Sequence, residues 1–132
     1  MMKIAGLAYV VAETTDLNRW KTYAQEVLGM MTSTAPDGGI YVRMDDRQFR
    51  FAIQSGANDA YLVSGWEVSQ QADFDDALQV LKNAKVDFQM GDAKLCQLRC
   101  AQQVAQFKDP SGNRHELIWG FKSDFAHFAS PV

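Results

Sequence analysis

Residues 4–13, IAGLAYVVAE, are apolar, short and rich in β-branched side chains, which is the pattern of a strand. The spacing then changes. In TTDLNRWKTYAQEVLGM, Leu17, Trp20, Ala24, Val27 and Leu28 recur three or four positions apart and fall on one side of a 3.6-residue helix. Thr14, Thr15 or Asp16 supplies an N-terminal cap for that helix, and Gly29 stands where it stops. APDGG reads as a turn, and IYVRMDDRQFRFAIQ as two alternating runs meeting at Asp45 and Asp46, a β-hairpin. After a second turn, SGAND, the segment AYLVSGWEV predicts a strand in which Gly65 marks a bulge or a close backbone approach.

The order of elements then begins again. ADFDDALQVLKNAKV places Phe74, Ala77, Leu78, Leu81 and Ala84 on one helical face, and VDFQMG, QQVAQF and HELIWG supply three further strands. The second strand and helix come roughly 55 residues after the first, the signature of an internal repeat. The expectation is an α+β fold: two βαβββ modules, about residues 1–58 and 59–120, forming one curved, mostly antiparallel sheet with helices on its outer face. The inner face of such a sheet is concave and suits a small molecule or a metal.

A chain of 132 residues is enough for one core. Hydrophobic content of 47% with 22% charged residues is that of a globular protein, and no apolar run approaches the roughly 20 residues of a membrane helix. The N-terminus lacks the features of a signal peptide, so a cytoplasmic location is expected. A net charge of −3 with dispersed lysines and arginines argues against a nucleic-acid partner. Cys96 and Cys100 lack both zinc-knuckle spacing and a second pair, so they are expected to be reduced thiols.

Candidate chemistry concentrates in DPSGNRHELIWG, where His115 and Glu116 are adjacent. Both are common metal ligands, but neighbours on a strand point to opposite faces and cannot converge on one ion. His115 shares its face with Leu117 and Trp119, which predicts a hydrogen-bonded imidazole on the helix-covered side; His127 is expected at the surface. No nucleophile elbow, phosphate loop or paired catalytic carboxylates appear.

DLNRWKTYAQEVLGM and DPSGNRHEL resemble the first helix and the last turn and strand of the vicinal oxygen chelate superfamily, the glyoxalase and extradiol dioxygenase fold. YVRMDDRQFRFAIQSGANDAYLVSGWEV, GDAKL and FKDPSGNRHELIWG narrow this to a similarity with the N-terminal domain of type I extradiol dioxygenases, those of the 2,3-dihydroxybiphenyl 1,2-dioxygenase kind. The resemblance implies that ring-cleaving iron(II) sits in a C-terminal catalytic domain, held by two histidines and a glutamate. It also implies that this domain is iron-free and structural, without turnover or catalytic residues of its own. Residues 121–132, FKSDFAHFASPV, resemble the linker to that second domain, which would be the partner, within a homo-oligomer. Laid on the family's ligand positions, Tyr9 and Val63 replace the two histidines and Glu116 keeps the third place. Tyrosine and valine leave no plausible iron site, so Glu116 is expected to be hydrogen-bonded to a neighbour such as Tyr9. Tyr9, Trp66 and Glu116 are the candidate pocket residues. An alternative is a stand-alone, metal-free, dimeric small-molecule binder of the bleomycin-resistance kind, with Trp66, Tyr9, Tyr41, Phe49 and Phe51 as stacking surface. A metal site completed across a dimer by Glu116 is the weakest reading.

Overall fold

The computed structural model describes residues 2–122. The tail from residue 123, with His127, lies outside them. The described chain divides into two compact units, one of residues 9–62 and one built mainly of residues 63–121.

In the first, strand β1 (Gly6–Thr14) leads to helix α1 (Leu17–Thr22), then to β2 (Met31–Thr34), β3 (Ile40–Arg43) and β4 (Phe51–Ser55). The strand order is β2-β3-β4-β1, with β1 parallel to β4 and the other pairs antiparallel. The Asp16 side chain caps α1 by accepting the Arg19 amide at 3.1 Å. Leu17, Trp20 and Ala24 pack with Ile40, Val42 and Ile53, as the helical stripe predicts.

The stripe does not continue to Val27 and Leu28. α1 passes into a π-helical turn over Tyr23–Val27, closed by Leu28 N–H donating to the Tyr23 carbonyl. The wider turn inserts a residue into the helical period and rotates the succeeding side chains outward. Val27 is 63% exposed and Leu28 44%. Gly29 then ends the segment at a left-handed φ of 68°.

The second unit repeats the plan. Strand β5 (Ala60–Val68) leads to α2 (Gln71–Asn83), β6 (Phe88–Met90), a short α3 (Ala93–Arg99), β7 (Gln103–Lys108) and β8 (Arg114–Trp119). The order β6-β7-β8-β5 mirrors the first, with β5 parallel to β8. Phe74, Ala77 and the half-buried Leu78 of α2 pack with Val68, Ala105 and Leu117, while Trp66, Phe107 and Trp119 close over that cluster. The α+β expectation and the paired βαβββ modules are borne out. Gly65 makes no bulge against β8, because the register runs unbroken from Val63↔Arg114 to Val68↔Trp119. Strand β2 and helix α3 are the two elements that the sequence pattern does not predict.

Candidate functional site

Strand β8 sorts its polar residues by alternation. His115, Leu117 and Trp119 share one face, and register pairs them with Ser64, Trp66 and Val68 of β5, on the side covered by α2. Arg114, Glu116 and Ile118 occupy the opposite face, beside Val63, Gly65 and Glu67 of β5 and across from Lys108, Gln106 and Val104 of β7. His115 and Glu116 therefore belong to separate environments.

Glu116 is fully buried. Its Oε1 accepts from Arg99 Nε at 2.7 Å, and its Oε2 accepts from Arg99 Nη2 at 3.2 Å and from Gln106 Nε2 at 3.0 Å. The guanidinium is itself almost wholly buried, so the two charges compensate one another away from water. Arg99 is the last residue of α3, whose first turn is capped by Asp92 accepting the Leu95 amide at 2.8 Å. The helix closes at Cys100 in the left-handed region, φ 55°. Sequence reasoning anticipates the need to compensate Glu116 and names Tyr9 as an example; Arg99 and Gln106 are two partners it does not name. The signal for α3 is present in Asp92 as a cap before AKLCQLR.

His115 joins a different chain of contacts. Trp66 Nε1–H donates to His115 Nδ1 at 3.0 Å, and His115 Nε2 lies 2.9 Å from Asp109 Oδ2. An indole nitrogen can only donate, so the neutral imidazole carries its proton on Nε2 and gives it to Asp109. Asp109 also accepts the amides of Ser111 and Asn113, both at 2.9 Å, which ties the DPSGN turn. The His115 hydrogen bond, with these amides, holds the Asp109 carboxyl down at about 2. Phe107 stacks on the imidazole at 5.6 Å between centroids. With both ring nitrogens engaged, His115 offers no lone pair to a metal and no free base. Trp66, named with Glu116 as a pocket residue, stands on the α2 side of its sheet and shares no face with Glu116.

The aromatic residues of the first unit fill space. Phe49 stacks on Tyr41 at 4.5 Å and 8°, and meets Tyr9 at 5.2 Å; all three are buried. Phe51 packs on the opposite, helix-covered side with Ile53 and Val42. These contacts make the set a packed core.

An open groove of about 650 Å³ runs along the second unit beside the β7–β8 turn, edged by Phe88, Gln106, Lys108, Pro110 and Arg114. Lys108 and Arg114 are cross-strand partners on one face, while Asp87 and Asp109 also line the groove, so its charge is mixed.

The residues present do not fit an iron. Glu116 has both oxygens committed, Val63 has no donor atom, and the hydroxyl of a neutral tyrosine such as Tyr9 is a poor ligand for iron(II). Among the described residues no three His, Cys, Asp or Glu side chains come together. Cys96 and Cys100 form no disulfide.

The fold and site define an α+β domain of paired βαβββ modules in which an arginine neutralises the buried strand carboxylate. Residues 7–56 match the family described as dihydroxybiphenyl dioxygenase BphC D1. The chain is 37% identical over 131 residues to an iron-dependent extradiol dioxygenase of Rhodococcus jostii, covering 98% of this chain and 44% of that protein. It is 31% identical to a 3-methylcatechol 2,3-dioxygenase of Pseudomonas putida, over 99% and 45% of the two chains. Among solved structures, a catechol 2,3-dioxygenase superposes with a TM-score of 0.94 at 26% identity, covering all of this chain and 45% of the other. Over nearly its whole length the chain is similar to extradiol dioxygenases and matches about the first 45% of those enzymes, which is consistent with a D1-type, N-terminal domain. It therefore spans less than half the length of these relatives. Among the described residues no helix is long and apolar enough to cross a membrane.

Proposed function

We propose that this chain serves as the iron-free N-terminal domain of a cytoplasmic enzyme that opens catechol-type aromatic rings with iron(II) and dioxygen. Its own contribution is structural: it folds beside the catalytic half of the same polypeptide and takes part in subunit assembly, while the metal and the substrate are bound by that second half. The observation that carries this reading is the commitment of Glu116 to Arg99 and Gln106, which leaves the carboxylate without a free edge. The names of the relatives, an iron-dependent extradiol dioxygenase and a 3-methylcatechol 2,3-dioxygenase, support the reaction class. The stand-alone binding alternative draws no support from Tyr9, Tyr41 and Phe49, which pack against one another.

The test is to incubate the purified chain with iron(II), dioxygen and either 3-methylcatechol or 2,3-dihydroxybiphenyl, monitoring oxygen uptake and the absorbance of ring-opened product. The expected result is no turnover and no retained iron after gel filtration. Stoichiometric iron together with product would end the proposal.

A further inference from the structure

We propose that Arg99 is a resident cation that holds, at Glu116, the place a divalent metal would take, so that the second module keeps one acidic ligand and closes it to metal ions. A carboxylate without exposed surface needs a compensating charge. A metal would require a lone pair of Glu116 directed at it and further donors around it. Instead the guanidinium meets the carboxylate edge-on, Nε to Oε1 at 2.7 Å and Nη2 to Oε2 at 3.2 Å, and Gln106 adds a third hydrogen bond. Of the register positions on the same face of the sheet, Gly65, directly beside Glu116, has no side chain, Val63 and Ile118 are hydrocarbon and Arg114 is cationic. Glu67, paired with Ile118, is a second carboxylate, but among the described residues no three His, Cys, Asp or Glu side chains form a group that could hold a metal. An arginine suits the task because its charge is permanent and its planar fork matches both oxygens at once. Its position is set by α3, which ends on Arg99 under the Asp92 cap and the left-handed Cys100. The proposal concerns how one carboxylate is compensated and stands whether or not the chain serves a ring-cleaving enzyme.

Two measurements on the folded chain test it. Equilibrium dialysis against cobalt(II), with Glu116→Gln as control, should find no cobalt whose binding depends on Glu116. Denaturant unfolding of Arg99→Lys and Arg99→Gln separates charge from hydrogen bonding, since both side chains donate but only lysine is a cation. The lysine variant should keep its folding equilibrium constant within about tenfold of the parent. The glutamine variant should lose roughly a hundredfold or more, the penalty of a buried carboxylate without its counter-charge. Stoichiometric cobalt that disappears in Glu116→Gln would overturn the proposal, and so would equal losses in the two Arg99 variants, failure of both to fold included.

Discussion

Removing the side chain of Phe49 tests directly whether the aromatic residues of the first unit are core or pocket. Phe49 has no exposed surface and sits between Tyr41, at 4.5 Å, and Tyr9, at 5.2 Å. A buried Phe→Ala change costs about 3–5 kcal/mol from lost transfer energy and the cavity left behind. Each aromatic contact adds about 0.5–1.5 kcal/mol beyond burial, so a loss of about 4 kcal/mol is expected. With an m-value of about 2 kcal/mol/M in urea for a chain of this size, the midpoint should fall by about 2 M at unchanged slope. The assay is equilibrium urea unfolding monitored by tryptophan fluorescence and, independently, by circular dichroism, with coincident transitions confirming two-state behaviour. A loss below about 1 kcal/mol would mean that Phe49 lines a hydrated cavity, and the packed-core argument would fail.

The geometry leads to three further expected outcomes. Asp109, held at about 2 against an ordinary 3.8, stabilises its turn above pH 4; that contribution should fade as pH falls from about 4 to about 2, read as movement of the Ser111 and Asn113 amide resonances. Unchanged amide positions at pH 2 would show that the carboxylate does not hold the turn. Trp66→Phe removes the only-donor partner of His115 Nδ1, so nitrogen NMR should show the imidazole released from a single tautomer while the fold persists; a fixed tautomer in the variant would contradict the indole's role. Val27→Ser, on the surface that the π-turn turns outward, should change stability by no more than about 0.5 kcal/mol, whereas Ala24→Leu, at a fully buried position, should lose about 1–3 kcal/mol by overpacking; the reverse order in thermal melts would refute the rotated stripe.

The repeat is legible in the sequence because each module announces itself by a change of period. Alternation places β1, β3 to β5 and β6 to β8, and the Phe74, Ala77, Leu81 spacing places α2. The π-turn is not legible: Val27 and Leu28 satisfy the α-helical stripe in sequence and leave it only because one residue is inserted at Tyr23–Val27. Strand β2, MTST, is short and partly polar, without a strong apolar period. For the site, alternation on β8 correctly separates His115 from Glu116, since adjacent strand residues must diverge. What compensates Glu116 is beyond its reach. Arg99 precedes it by 17 positions on a seven-residue helix, and pairing across that distance is a property of the folded chain. Trp66 enters the candidate pocket as an aromatic that could offer stacking surface; the register with Leu117 places it on the α2 side.

The two neighbours at the centre of β8 also guard how that strand docks. A slip of one residue would carry the Glu116 carboxylate among Trp66, Phe74 and Phe107, and would leave the Arg99 guanidinium facing an imidazole or an alkyl chain. Both halves of the error would be penalised at once, so misaligned pairings of β8 should be sparse even in early compact states, and the glutamate serves as a checkpoint for strand assembly.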